Sequence, residues 1–484
     1  MEQNIPHQLV IRNKNGVYLS NMLAKSDEEM QLINQDGNAQ LIVLEEYILM
    51  FNKKSIKLHD YKQPVKELEF TNLQNIHLTE SKQNLIIMDK LDQQSFQLQI
   101  LKFPSLESKG INFNIKNFKR EAWPILKFSS EDQYFYIIQN QKLHCYADNK
   151  CLFQTDIGNC EYFSVQPNTQ KPLIVCYSLM DFNIKESFLK IVDINGKIKY
   201  EKKLHQTSDL EVIWSPNGQS LLINKGFHED NTNQSYFGQN QVLFYDFPKN
   251  ALRELPTYEG PIHHVQWSPS SKEFILLSGF MPSGAVMYDN TCKPLFEFGK
   301  DHKNKIIWGN GRFVMICGFG NLDGSIHIWD TKTLKQVSNN KYKSASLCYW
   351  SPCSRYYVCA KVTPRMNVDN QYSLFDYHGK EIINRKFLEL YDVQFRPSNI
   401  KFEERPPTPT KQVQQEPPKK QFIAFADNPL AQQMRAMKAG EGARVLQVDE
   451  TFGKQSNNNY PPGYDPPKEK KKRVRKPKQQ QQQQ

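Results

Sequence analysis

Trp214-Ser-Pro-Asn-Gly218, Trp267-Ser-Pro-Ser-Ser271 and Trp350-Ser-Pro-Cys-Ser354 are three copies of one phrase, and a short apolar run follows each, at 221–224, 274–277 and 356–360. Looser copies stand at Phe128-Ser-Ser-Glu-Asp132, Phe163-Ser-Val-Gln-Pro167, Trp308-Gly-Asn-Gly311 and Phe395-Arg-Pro-Ser398, with a weaker one at His77-Leu-Thr-Glu-Ser81. The chemistry of the phrase is that of a tight turn between two strands. An aromatic residue ends one strand, Pro presets φ, and Gly accepts the positive φ that closes the turn. The copies recur at steps of about 35 to 53 residues, the period of a blade in a WD-type β-propeller. One four-stranded blade cannot bury both of its faces, so blades must stack in a ring.

Working outward, short runs rich in β-branched and aromatic residues fill the first 400 positions, bounded by Asn, Gly, Ser and Asp (85–88, 135–138, 173–177 and 313–317 are examples). Helical periodicity of useful length is almost absent there. Trp329-Asp330, closing the run 325–328, is the dipeptide that gives WD repeats their name. The expected fold is therefore all-β, a WD-repeat-like β-propeller over residues 1–400, with eight marks and an N-terminal stretch (9–19, 41–51) pointing to eight or nine blades. The competing all-β reading, a sandwich, has shorter strand spacing and no such period.

Past Pro397 the composition changes. Residues 401–429 form a Pro-rich linker, 430–452 hold a possible short helix (LAQQMRAMK) and loop, and 453–484 read as a disordered basic and polyglutamine tail. Between 468 and 478 the chain carries eight Lys or Arg against one Glu, so most of its net charge of +11 sits at one end. Lys468, Lys470, Lys471, Lys472, Arg473, Arg475, Lys476 and Lys478 are the candidate RNA-binding residues: such a run neutralises phosphates and releases counterions whatever the sequence. The same run also fits a nuclear localisation signal, an acidic-protein contact or a solubility device.

The remaining composition excludes several classes. Nine scattered cysteines without repeated CxxC spacing fit reduced thiols rather than a disulfide framework. The first fifteen residues are polar, and the apolar run 41–51 is broken by Glu45 and Glu46, so neither a signal peptide nor a membrane span is expected and the chain reads as soluble and cytoplasmic. No P-loop, dinucleotide fingerprint, HExxH or GxSxG occurs, so no catalytic residue, cofactor or metal is assigned and the chain is not read as an enzyme. His263-His264 lacks partners at ligand spacing and reads as strand polar residues; Cys353 and Cys359 read as turn and core.

Residues 260–396 add a more specific likeness. Gly260-Pro-Ile, Val265-Gln-Trp267, Ser271-Lys-Glu-Phe274, Gly279-Phe-Met-Pro282, Pro294-Leu-Phe-Glu-Phe-Gly299, Gly318-Phe-Gly-Asn-Leu322, Ile328-Trp-Asp330, Trp350-Ser-Pro352, Pro364-Arg-Met-Asn-Val-Asp-Asn370, Leu390-Tyr391 and Phe395-Arg-Pro397 follow in order, with Tyr236-Phe-Gly238 upstream. This string resembles eukaryotic translation initiation factor 2A and, more distantly, the propeller of the b subunit of initiation factor 3. The resemblance implies a nine-bladed propeller, the small ribosomal subunit, initiator tRNA and mRNA as partners, and GTP-independent delivery of initiator methionyl-tRNA for a subset of messages. The b subunit carries an RNA-recognition motif ahead of its propeller; here the pattern begins near Leu9, which favours factor 2A. The family's longer charged helical segment after the propeller is replaced by the short basic run, so docking by the propeller is the firmer expectation. Within it, the loops 318–324 and 364–370 offer exposed backbone, with Arg365, Asn367 and Asn370 as candidate partner contacts. The glycines of 318–324 also fit a plain blade turn. The alternatives are a WD-type protein-interaction scaffold or a subunit-b-like component of initiation factor 3.

Overall fold

The computed structural model describes residues 7–398, apart from 62, 117, 148, 180–185, 206, 228–238 and 248. The chain forms two compact units, 1–432 and 433–484, and every described residue lies in the first. The linker, the 430–438 segment, the basic run 468–478 and Tyr236-Phe-Gly238 lie outside the described residues.

Among the described residues the strands form nine four-stranded antiparallel sheets, a nine-bladed propeller. Blades 2 to 9 are each built from consecutive strands, from Gln40–Val43 in blade 2 to Glu381–Lys386 in blade 9. Blade 1 is composite. Its first strand, Leu390–Phe395, comes from the end of the propeller, and its other three, Gln8–Asn13, Gly16–Asn21 and Met30–Asn34, come from the beginning. The closing register pairs Leu9 with Phe395 and Ile11 with Val393. First strands of successive blades contact one another, Ile262–Trp267 against Lys305–Trp308 and Leu347–Trp350 against Leu390–Phe395, so they line the axis.

This layering explains the hydrophobic pattern. Second strands have a neighbouring blade on either side, so 85–88, 274–277 and 314–317 are buried on both faces and read as unbroken apolar runs. Outer strands have one wet face: Ser108–Lys116 alternates exposed and half-buried residues throughout. The core therefore lies between blades. Ile275, Leu277 and Phe298 of blade 7 pack on Ile306, Val314 and Trp329 of blade 8, and Val358 and Leu374 of blade 9 pack on Leu9, Ile11 and Val393 of blade 1.

The recurring phrase joins the first and second strand of its blade, as the sequence implies, and each of its residues has a task. The buried serine takes the turn in hand: Ser215 and Ser351 Oγ accept the backbone N–H of Ser220 and Tyr356 at 2.9 and 3.2 Å. The fifth position is left-handed whichever residue holds it: Gly218 at φ 70°, Ser271 at 60°, Ser354 at 56° and Asp132 at 56°. The tryptophan reaches across to the preceding blade. Trp267 Nε1 donates to the Ile213 carbonyl at 3.2 Å, Trp308 to Gln266 at 3.3 Å and Trp350 to Ile307 at 3.1 Å. Each acceptor is the residue just before the phrase's aromatic in the neighbouring blade, so the contact propagates from blade to blade.

Three copies depart from the expected register. Around His77 the turn begins one residue later, with Thr79 in the serine role and Lys82 left-handed at φ 58°. In blade 5 Gln166 replaces the serine, its Oε1 accepting Leu173 N–H at 2.9 Å, so the turn follows Val165 rather than Phe163. Phe395-Arg-Pro-Ser398 closes the last inner strand, whose sheet neighbour is supplied from the chain's beginning. Blade 2 has no copy because Leu44 N–H closes directly on the Tyr47 carbonyl at 2.8 Å. Eight marks thus correspond to nine blades.

The indole contact is testable. Trp267→Phe keeps most of the buried ring but removes the donor and is expected to cost about 1–2 kcal/mol. Trp267→Ala adds a cavity at a residue 5% exposed and is expected to cost about 3–5 kcal/mol. Denaturant unfolding of the two variants measures both.

Candidate functional site

Each blade is a four-strand meander, so the loops between its second and third strands emerge on the same face as the connections from one blade to the next. On that face, blades 7 to 9 present the three loops singled out by their sequence: 279–282, 318–324 and 362–370.

The loop of blade 9 is held by Asn370. Its Oδ1 accepts the Leu390 N–H at 2.7 Å and the Thr363 hydroxyl at 2.9 Å, its Nδ2 donates to the Met366 carbonyl at 2.7 Å, and its own carbonyl accepts the Phe387 N–H at 2.8 Å. Asn370 is 2% exposed, so its side chain faces inward and shapes the loop rather than meeting a partner. That role had no local sequence signal: an Asn in a Pro- and Asp-containing loop reads as solvent-facing until the packing of Leu390 is known. Arg365 and Asn367 are exposed on the same loop. With Asn370 as the anchor, these two remain turned outward.

The loop of blade 8 lies beside it. A Cβ on Gly320 would come within 3.2 Å of Arg365 Nη2, so the arginine lies over the glycine and the two loops form one surface. Two other glycines answer to packing: a Cβ on Gly318 would fall 2.2 Å from the His302 carbonyl oxygen, and one on Gly324, at φ 80°, 2.3 Å from that of Tyr342. The side chain of Asn304 completes the frame, accepting the Phe319 N–H at 2.9 Å and donating to its carbonyl at 3.0 Å. Asp323 at the loop's end is held well below the usual carboxylate range by Lys341, 2.7 Å away.

In blade 7, Phe280 N–H donates to Glu259 and Gly279 N–H to Pro261, which fixes the loop while leaving Phe280 and Met281 exposed at its tip. Across the same face Val368 is 67% and Leu388 87% exposed. Blades 7 to 9 thus offer apolar side chains around one arginine on backbone that is hydrogen-bonded in place, a surface suited to contact rather than chemistry.

The two histidines noted in the sequence support this framework. His263 Nε2 shares a hydrogen bond with the Gly279 carbonyl at 2.8 Å, and His264 Nδ1 accepts the Ile306 N–H at 3.3 Å with Lys305 Nζ 3.2 Å from its other nitrogen. Cys353 lies in a turn and Cys359 in the core, its Sγ 3.4 Å from that of Cys348. No group of three or more His, Cys, Asp or Glu among the described residues is arranged to hold a metal ion. None of their helices is long and apolar enough to cross a membrane.

Two tests follow. Asn370→Ala leaves the buried Leu390 N–H without its acceptor and is expected to cost about 2–3 kcal/mol and to speed hydrogen exchange through 363–370; unchanged exchange there contradicts the anchoring role. Burial, reinforced by Lys305 and Lys303 respectively, pushes His264 and His327 down to about 4 from the ordinary 6.5, outweighing Asp301 beside His327. Between those values the unfolded chain binds more protons than the folded one, so stability is full above about pH 6.5 and is lost as pH falls toward 4. Melting temperatures from pH 7 to 5 should fall, and the slope should flatten in the double variant His264→Gln, His327→Gln.

Residues 202–393 match the family described as "Eukaryotic translation initiation factor eIF2A", a stretch running from the outer strand of blade 5 to the closing strand of blade 1. The chain is 32% identical over 180 residues to eukaryotic translation initiation factor 2A of Drosophila melanogaster, covering 37% of this chain and 28% of that protein. It is 25% identical over 366 residues to the factor of the same name from Schizosaccharomyces pombe, covering 74% and 59%. The matched region thus spans between about a quarter and three-fifths of these relatives' length. Among solved structures, one titled "Crystal structure of the eukaryotic initiation factor" superposes with a TM-score of 0.69 at 18% identity, covering 81% of this chain and 99% of that one, a likeness of fold.

Proposed function

We propose that this chain is a translation initiation factor whose propeller docks on the small ribosomal subunit and promotes GTP-independent binding of initiator methionyl-tRNA for a subset of mRNAs. The observation that carries the reading is that the family match, 202–393, spans the blades whose loops converge on one face. The relatives named as initiation factor 2A support a role in translation initiation; the partners, the small subunit with initiator tRNA and mRNA, are the proposal's own.

In this reading the propeller binds and positions, and no bond is made or broken on it. The apolar tips Phe280, Met281, Val368 and Leu388, with Arg365 and Asn367 among them, meet a protein surface of the subunit. The basic run from Lys468 to Lys478, outside the described residues, adds salt-dependent attraction to RNA and raises the local concentration of the propeller at its target. The work takes place in the cytoplasm.

Sedimentation of the full chain with purified small subunits tests the reading. The chain should travel with the subunit in both low and moderate salt. Arg365→Glu should reduce the bound fraction several-fold without moving the melting temperature, because Arg365 is exposed. Replacing the eight basic residues of the tail by Gln should weaken sedimentation chiefly in low salt. A chain that fails to sediment with the subunit in any salt overturns the proposal.

A further inference from the structure

The opposite face of the propeller carries a second recurring phrase. It lies in the turn between the third and fourth strands, which emerges beside the turn between the first and second. Asp193-Ile-Asn-Gly-Lys197, Asp289-Asn-Thr-Cys-Lys293 and Asp376-Tyr-His-Gly-Lys380 are its clear copies, and Asp330-Thr-Lys-Thr-Leu-Lys335 is a one-residue-longer form.

The geometry separates the two charges. The aspartate turns inward onto backbone: Asp193 Oδ1 accepts the N–H groups of Asn195 and Lys197 at 3.0 and 2.8 Å, Asp289 those of Thr291 and Lys293 at 2.8 and 2.9 Å, and Asp376 those of His378 and Lys380 at 3.0 and 2.9 Å. The residue before the lysine, or before Lys335 in the longer form, is left-handed: Gly196 at φ 79°, Cys292 at 68°, Leu334 at 55° and Gly379 at 88°. The carboxylates are spent on turn N–H groups, and the lysines are left in solvent. Lys272 joins them from the neighbouring turn of blade 7, where its carbonyl accepts the Asn290 N–H at 2.9 Å. Lys197, Lys272, Lys293, Lys335 and Lys380 are all exposed, and none enters an ion pair among the described residues.

Adjacent copies are tied together. Asn250 Nδ2 donates to Lys199 of blade 5 at 3.1 Å, Arg253 Nη2 to Thr291 of blade 7 at 2.5 Å, and Asn217 N–H to Ser271 Oγ at 2.9 Å. The lysines occupy an arc over blades 5, 7, 8 and 9, and blade 6 is tied to both of its neighbours. The corresponding turns of blades 1 to 4 are of mixed sign, with Glu28, Glu46, Glu80, Glu107 and Glu131 exposed alongside Lys25 and Lys82. Lysines free of ion pairs and unaccompanied by a glutamate in the same turn thus recur on the side of the later blades.

We infer that this lysine arc is a docking surface for the phosphate backbone of double-helical RNA. The inference rests on the proposed role in translation and names a surface for it, separate from the face of the three loops. Lysines are point charges on flexible stems, suited to phosphates rather than to base edges. Their recurrence in four of the five later blades matches a partner whose charge repeats along its length. The aromatic residues of these turns are already engaged, Phe247 stacked near Trp214 at 6.0 Å and Tyr377 on Phe313 at 5.2 Å, so the arc lacks the free stacking platforms that bind single strands.

The test uses the full chain with the tail's eight basic residues changed to Gln, so that the propeller's own contribution is read. Binding to a fluorescent 20-base-pair RNA hairpin of arbitrary sequence is followed by anisotropy between 50 and 200 mM KCl, in parallel with a poly-uridine strand and with poly-glutamate. Changing Lys197, Lys272, Lys293, Lys335 and Lys380 to Gln should weaken hairpin binding by about tenfold or more at the lowest salt. It should also flatten the slope of log affinity against log salt by about 3 or more. Melting temperature controls for folding, and Glu46→Gln with Glu80→Gln should leave the affinity unchanged or raise it. Hairpin affinity and slope unaltered in the five-lysine variant overturn the inference, as does an arc that binds poly-glutamate or poly-uridine but not the hairpin. Sedimentation with the small subunit that persists when hairpin binding is absent refutes this surface alone. Hairpin binding without sedimentation refutes the ribosomal reading and leaves the surface standing.

Discussion

Hydrogen bonds from the inner-strand indoles of blades 6 to 9 to the preceding blade are the contacts on which this half of the ring depends: Trp267, Trp308 and Trp350 donate to carbonyls and Trp214 to the Ser164 hydroxyl. Sheets stacked face to face through apolar side chains slide easily, because burial is non-directional. A donor fixed at the end of an inner strand removes that freedom. Trp267, Trp308 and Trp350 each set the height and rotation of their blade against the one before. The serine turn that follows then starts the second strand at a defined point. Closure of the ring by Leu390–Phe395 against Gln8–Asn13 completes the same arrangement with a backbone ladder.

Once the blades are locked, their turns become two rigid faces with different chemistry. On one face the loops of blades 8 and 9 are longer than tight turns, and Asn370, Asn304 and, in blade 7, the Gly279 and Phe280 N–H bonds hold the loop backbone in place. Their side chains are thereby left to a partner. On the other face the turns are short, and Asp residues consumed as caps leave lysines outward. Exposed groups held still bind at a reduced ordering cost on association.

Much of this was legible in the sequence, and the reason is local. The Trp-Ser-Pro phrase and the apolar run behind it are short-range signals, so fold class, second strands and approximate period could be read directly. The register slipped at His77 and Phe163 because Thr79 and Gln166 perform the serine's task with different atoms, and identity of role does not show as identity of residue. Asn370 read as a surface contact because its partners Thr363, Leu390 and Phe387 come together only in the folded blade. The Asp-to-Lys phrase was present at 193–197, 289–293 and 376–380 but escapes notice, because one acidic and one basic residue four apart look like balanced surface charge until the aspartate is seen bonded to backbone.

The central claim is that the function of this propeller is carried by the turns of its later blades. Hydrogen–deuterium exchange of the full chain, free and with purified small ribosomal subunits, tests it most directly. The account predicts added protection at 279–282, 318–324 and 363–370 and in the turns around Lys293, Lys335 and Lys380, with the turns of blades 2 to 4 unchanged. Protection confined to blades 2 to 4, or restricted to residues beyond 400, would contradict it.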